Sequence, residues 1–457
     1  MTASPSTSKA DGQAAEPRTI PAGRRASGSL QVPPSKSVTH RYLNLALLAG
    51  APLVLERPLD ADDTRLFLAA LEGCGFAVER AGEEVRLTPG CSRSPRSETE
   101  PIEVFCGNAG TMFRFLVATL AAIPGRFRLD GTPRLRERPI APLVDAVRRL
   151  GGEVEYLERE GYGPLAIRGE TLRGGTTALD AGSSSQYLSA LLMAGLRAKE
   201  PVTIELSALT SEPYIEITLG LVRRFGGQIE RVTPPRFRVE PAASLAAGLD
   251  RARVEGDWSA AAYPAAMAAL TGGPVRLLGL EEGSEQGDRG FLDLLAAMGA
   301  EVSWHGGELT VSGTGRLTAI SVDLGRMPDQ VPTLAALAPF AAGTTRITGV
   351  PHLRIKESDR LHAMAVGLAA LGVPVTELPD GLEIEGVWAG CRDLPSDPVT
   401  IDPFDDHRIA MSFALVGLRR PGVTIAEPGV VAKSYPEFWR DFDALTSESK
   451  PPGRDSR

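Results

Sequence analysis

Two kinds of apolar segment alternate along the chain. In the first, an amphipathic helical pattern runs into a glycine and then into a short β-branched stretch. It recurs over residues 71–78, 149–154, 224–229, 297–302 and 370–375. The glycines are Gly75, Gly151, Gly226, Gly299 and Gly372, and glycine just past a helix is its commonest terminator. The second kind is more uniformly apolar, as in residues 42–48, 115–122 and 188–196. These helices are predicted to begin at Ser35, Asn108, Ser183 and Ser259, near Pro332 and near Asp406. Both series repeat every ~74 residues, so the chain reads as six copies of one β/α unit.

That period is too long for a (β/α)₈ barrel, whose unit is about 30 residues. The predicted class is α/β, with two similar domains of three units each. Such an arrangement lets helix starts converge on one cleft, where their unpaired N–H groups and partial positive charge favour an anion. The sixth helix, predicted over 436–445, has no strand after it. Residues 19–33, with Leu30 and Val32, are expected to supply one from the N-terminus.

Charge and cysteine usage narrow the function. The net charge of −8 over 457 residues argues against a general nucleic-acid binder. No uncharged apolar run reaches membrane-spanning length. The four cysteines are scattered, with no C-x-x-C pair and no H-E-x-x-H motif, so neither a zinc site nor a disulfide framework is indicated. Residues 1–18 and 448–457 read as loose polar tails.

The candidate chemistry sits at the helix starts. Arg354-Ile-Lys356-Glu357-Ser-Asp359-Arg360-Leu361 packs three cations around two carboxylates before an apolar helix, which suits a polyanion with Glu357 as proton carrier. Lys36 and Ser37 open another helix, with Arg41 one turn on. Gly107-Asn-Ala-Gly110-Thr lets backbone approach a ligand. Gly182-Ser-Ser184-Ser185-Gln186 offers hydroxyls and an amide to a phosphate. Further candidates are Arg134, Asp329, Arg408 and Lys433. Asp405 and Asp406 beside His407 read as acids satisfied by a helix dipole rather than as metal ligands.

Taken together and in this order, the motifs Ser-Lys-Ser-x-x-x-Arg, Gly-Asn-Ala-Gly-Thr, Pro-Arg-x-x-x-Arg-Pro-Ile, Ser-Ser-Gln, Ser-x-Pro-Tyr-Ile, Lys-Glu-Ser-Asp-Arg-Leu and Asp-His-Arg-x-Ala-Met resemble the 5-enolpyruvylshikimate-3-phosphate (EPSP) synthase family over residues 25–445. The resemblance implies the enolpyruvyl transferase fold, with domains of 19–34 plus 254–447 and of 35–253. It implies transfer of the carboxyvinyl group of phosphoenolpyruvate to the 5-hydroxyl of shikimate 3-phosphate, in the shikimate pathway to aromatic amino acids. No metal or organic cofactor is implied, and a cytoplasmic monomer sensitive to glyphosate is the family expectation. Ser37, Arg41, Ser184, Ser185, Gln186 and Ser211 are expected to hold shikimate phosphate, together with Tyr214, Asp329, His352, Lys356 and Lys36. Lys36, Gly110, Arg134, Gln186, Arg360, Arg408 and Lys433 are expected to hold phosphoenolpyruvate. Asp329 matches the family's proton acceptor and Glu357 its donor, with Lys36 assisting.

The two substrates together carry about −5 to −6 at neutral pH, so holding them side by side requires a cleft dense in cations. The chemistry further requires a base at the hydroxyl and an acid at the methylene, hence two carboxyls in opposite protonation states. His352 stands where one branch of the family has Asn, and Met112-Phe113-Arg114-Phe115 replaces the common Ala-Met-Arg-Pro. Two rivals share the scaffold: an enolpyruvyl transferase for a UDP-amino sugar, with Cys91 or Cys106 as its loop cysteine, and a non-catalytic anion binder.

Overall fold

A computed structural model describes residues 16–90, 100–233 and 235–447. The proposed tails at 1–15 and 448–457, and Cys91, lie outside the described residues. Arg18, expected in the first tail, is instead in a strand.

Two hydrophobic cores organise the fold. One is built from Ile20, Ala26, Leu30 and Val32 with residues from Trp258 to Leu445. The other runs from Val38 to Val254. The second-type helices form the interior of both: Lys36–Ala49, Gly110–Ala121 and Gln186–Gly195 in one, Trp258–Thr271, Val331–Leu337 and His407–Arg419 in the other. A helix that is apolar on every side must be covered on every side, and all seven residues of Val331–Leu337 are buried.

The sheets supply that cover. The five four-stranded sheets each contain a parallel pair and an antiparallel hairpin, as in Ile102–Phe105, Gly125–Asp130, Leu165–Gly169 and Glu153–Tyr156. Their burial alternates, for example along Gly175–Ala181, because one face packs on helices and the other meets water. The five predicted terminators Gly75, Gly151, Gly226, Gly299 and Gly372 all have φ between 79° and 105°, the left-handed region where a side chain is strained.

The N-terminal segment closes the repeat differently from the expectation. Arg18–Thr19 pairs antiparallel with Val423–Ile425 and completes a three-stranded sixth sheet. Gly28–Gln31, which carries Leu30, joins the fourth sheet beside Val275–Leu278. The last helix, Phe438–Thr446, is tied to it where Ser27 N donates to Leu445 O at 2.8 Å. Two chain crossings join the cores. They run side by side, with Ser35 N donating to Glu255 O and Asp257 N to Pro33 O, both at 2.8 Å.

Candidate active site

The starts of all six inner helices meet at one cavity between the cores. Lys36, Gly110, Gln186, Ser259 and Arg408 each line it from the first turn of a different helix, and Asp329 lines it from the 3₁₀ turn that leads into the sixth. The enclosed space is about 80 Å³, because side chains reach across it. Arg134 Nε and Nη2 donate at 3.0 Å to the carbonyls of Glu357 and Lys356. Lys433 Nζ donates at 2.9 Å to the carbonyl of Asn108, and Tyr214 OH donates to Asp329 at 3.1 Å.

Arg360 joins the two proposed acid–base groups. Its Nη1 lies 2.8 Å from Asp329 and its Nη2 2.8 Å from Glu357, while Nε is 2.8 Å from the fully buried Asp406. Asp406 also caps His407–Arg419 by accepting from Arg408 N. Burial alone would raise Asp329, but Arg408 at 2.7 Å, Arg360 and Lys356 outweigh it and hold the carboxyl below its usual range. Burial also pushes Glu357 up, and Arg360, Arg138 and Lys433 overcome it, leaving Glu357 well below its usual value. The expected opposition of protonation states is therefore not built into this structure. Both carboxyls are ionised, because three cations face Glu357 at 2.8, 3.6 and 3.7 Å.

The cavity wall contains Lys36, Ser37, Gly110, Ser184, Ser185, Gln186, Ser211 and Tyr214 on the side of one core, with Asp329, Lys356, Glu357, Arg360 and Arg408 on the side of the other. Four predicted residues lie outside the wall itself. Arg41 is buried and donates to Thr218 Oγ1 and to the carbonyls of Ser37 and Tyr214, so it braces two wall segments. His352 contacts Thr210 at 3.3 Å and Ser211 at 3.4 Å, and burial lowers its pKa to about 3, leaving it neutral. Lys433 faces Glu357, and Arg134 spans the cleft rim.

Sequence reasoning singled out Arg134 of this loop and did not single out Arg138. Arg134, Arg136 and Arg138 lie within five residues, yet of the three Arg138 alone lines the cavity, at 4% exposure. It faces Glu357 and stacks directly against Gly110, where a Cβ would meet its guanidinium at 2.5 Å. Burial lowers Arg138 to about 10. Arg114 was also passed over, although its guanidinium holds Gln186 Oε1 at 2.7 Å. The acids Asp63 and Asp257 serve Lys36, one at its ammonium and the other at its backbone N–H. No local spacing signals these partners, which lie 27 and 221 residues away.

A family profile described as EPSP synthase (3-phosphoshikimate 1-carboxyvinyltransferase) matches residues 20–442. The chain belongs to the EPSP synthase family. A 3-phosphoshikimate 1-carboxyvinyltransferase of Syntrophobacter fumaroxidans is 45% identical over 419 residues, covering 92% of this chain and 97% of its own. One from Sulfurovum is 39% identical over 425 residues, covering 93% and 98%. Among solved structures, EPSP synthase from Acinetobacter baumannii superposes with a TM-score of 0.76 at 28% identity, covering 94% of this chain and 97% of that one. The fold is the two-domain enolpyruvyl transferase fold of that family.

The departure from the common EPSP synthase loop sequence has a plain structural outcome. Met112, Phe113 and Phe115 turn into the second core at 0–3% exposure, so their bulk packs away from the cavity. Cys106 is fully buried, and burial pushes its thiol up. It is unsuited to the loop-cysteine role that the UDP-sugar reading would assign it.

Proposed function

We infer that the chain transfers the carboxyvinyl group of phosphoenolpyruvate to the 5-hydroxyl of shikimate 3-phosphate, releasing phosphate, by addition and then elimination. The observation that carries the reading is the Asp329–Arg360–Glu357 bridge inside a cavity fed by six helix starts. Anion binding alone has no use for two carboxylates set among its cations, which work against it.

Asp329 is the base in this reading, kept ionised by Arg360 and Arg408. Glu357 delivers the proton to the methylene once the anionic substrates have engaged Arg138, Arg360 and Lys433. Lys36 assists at the same face. Ser184, Ser185, Ser37, Ser211, Tyr214 and Lys356 hold shikimate phosphate, with Arg41 and His352 bracing that wall. Arg138 joins Lys36, Gly110, Arg134, Gln186, Arg360, Arg408 and Lys433 in holding phosphoenolpyruvate.

The domains proposed are 19–34 plus 254–447 and 35–253, which follow the two cores and the paired crossings. A monomer is proposed because one chain supplies every wall of the cavity. Among the described residues no helix is long and apolar enough to cross a membrane. The free thiols of Cys74, Cys106 and Cys391 support a reducing, cytoplasmic setting. The deciding experiment is a phosphate-release assay with both substrates, each omitted in turn. Release that ignores shikimate 3-phosphate, or that needs a UDP-sugar instead, overturns the reading.

A further inference from the structure

A third acid stands behind the proposed base. Asp288, in the 3₁₀ turn Gly287–Gly290 of the first core, is 4% exposed. Tyr214, on the helix Pro213–Arg224 of the other core, places its hydroxyl 3.1 Å from Asp329 Oδ2 and 3.4 Å from Asp288 Oδ2. One phenol thus bridges two carboxyls of the opposite domain. Ser259 Oγ donates to the same Asp288 oxygen, and Asp288 Oδ1 has no hydrogen-bond partner.

The segment holding Asp288 is anchored where the chain crosses between domains. Two residues earlier, the Gln286 amide accepts from Ser35 Oγ at 3.0 Å and Trp258 N at 3.1 Å, and donates to Gly256 O at 2.8 Å. The position of Asp288 is therefore fixed from the crossings, while Tyr214 arrives from across the cleft.

The two acids differ in their company. Asp329 has two arginines within 2.8 Å. Around Asp288 stand Tyr214, Ser259, Asp257, Asp329 and Arg408, and no cation makes an ion pair with it among the described residues. The neighbouring Arg289 turns away to the carbonyl of Glu282.

Resting on the transferase reading above, we propose that Asp288 is a positioning residue that acts through the Tyr214 hydroxyl to set how readily Asp329 takes the substrate's proton. In the addition step the 5-hydroxyl O–H bond breaks and its proton moves to Asp329. The freed oxygen pair forms the C–O bond at the enol carbon, and Glu357 protonates the methylene. Tyr214 has one proton to give. With Asp288 protonated, that proton goes to Asp329 and weakens it as a base. With Asp288 ionised, the phenol is shared between two carboxylates and the second negative charge strengthens Asp329. Burial, reinforced by Asp329 and opposed by Arg408, raises Asp288 to about 6, so the change falls in the working range.

The test compares wild type with Asp288→Asn, which keeps the shape and the contacts to Ser259 and Tyr214 but cannot ionise. Steady-state turnover is measured from pH 5 to 8.5. Substrate phosphates titrate in this range too, but they are common to both proteins and cancel in the ratio of kcat values. That ratio is expected to rise from about 1 at pH 5 to roughly 10 at pH 7.5, one pK unit of base strength, with both KM values within about threefold. A ratio that is flat with pH, or an effect confined to KM, overturns the proposal. Should the variant fail to fold, Ser259→Ala serves instead. Losing a donor to Asp288 raises its proton affinity, so the step in kcat moves to higher pH, and an unmoved step overturns the proposal. A wild type that releases no phosphate with both substrates instead overturns the transferase reading itself.

Discussion

Glu357 is expected to take up a proton when phosphoenolpyruvate binds. In the structure it is ionised and faces Arg360, Arg138 and Lys433 at 2.8, 3.6 and 3.7 Å, well below its usual value of 4.5. The ligand's phosphate and carboxylate are proposed to engage those same cations. At an effective dielectric constant of about 20, one negative charge ~5 Å away costs a carboxylate about 3 kcal/mol, or roughly 2.4 pK units. Two such charges shift it upward by about 5 units, which favours the protonated form while the ligand is bound. The enzyme would then create its acid only when the substrate is present. Calorimetric titration of phosphoenolpyruvate, with shikimate 3-phosphate lacking its 5-hydroxyl present to prevent turnover, gives the proton count from buffers of different ionisation enthalpy. Wild type should take up about one proton more than Glu357→Gln near pH 6, and the variant should lose at least ~100-fold in turnover while still binding both ligands. Equal proton counts in the two proteins would refute this account of the acid.

Three further outcomes follow from the geometry. Arg138→Ala should raise the KM for phosphoenolpyruvate by roughly 30- to 150-fold, the loss of a buried charge-assisted contact of about 2–3 kcal/mol. Arg134→Ala should cost about tenfold or less, since Arg134 holds main-chain carbonyls at the rim, and steady-state kinetics on both variants would expose a reversed order. Gly110→Ala drives a Cβ into the Arg138 guanidinium, so KM for phosphoenolpyruvate should rise ~10-fold or more with kcat largely kept, and an unchanged KM would show that Arg138 does not define that pocket. Burial, with Arg114 and Arg138 adding to it, lowers Lys356 to about 7 from 10.5. The free protein therefore carries a full penalty for Lys356 below pH 7 that fades as pH rises towards 10.5. Lys356→Met should raise the melting temperature at pH 6 more than at pH 9 while weakening shikimate 3-phosphate binding, and an equal gain at both pH values would contradict the shift.

The repeat was legible because glycine at a helix end answers a local demand. Five left-handed positions recur at one spacing, and each falls where the sequence puts it. The helix starts were legible within three residues, for example Ser183 against a helix that begins at Gln186, because capping side chains cluster before the first turn. What stayed hidden was long-range. Nothing in Arg134-Leu-Arg136-Glu-Arg138 says which guanidinium turns inward, since Arg134 and Arg138 are one turn apart on the same face. Asp288 was invisible because its meaning comes from Tyr214, 74 residues earlier. Arg18 was read as tail, and the strand expected from residues 19–33 was put at Leu30 and Val32, because two residues cannot show an alternating pattern; the strand Arg18–Thr19 is set by its pairing with Val423–Ile425.

The cations of the cleft divide into two sets, and the division explains how an acidic protein can hold two polyanions. Arg360 and Arg408 are already committed to Asp406 and Asp329 at 2.7–2.8 Å, so they mainly shape the catalytic carboxylates. Arg138 leaves Nε and Nη1 without hydrogen bonds, and Arg114 leaves Nε so. Buried unsatisfied donors cost free energy in the empty protein. An anion that reaches them gains its own contacts and also removes that cost. Lys356, held near pH 7 by burial and by these two arginines, adds to the same strain. The carboxylates Asp63, Asp257, Asp329, Asp406 and Glu357 keep the cluster foldable, but they do not satisfy its inner donors. In the proposed reading the affinity of the cleft comes from a specific deficit, located at Arg138, Arg114 and Lys356, and not from net positive charge.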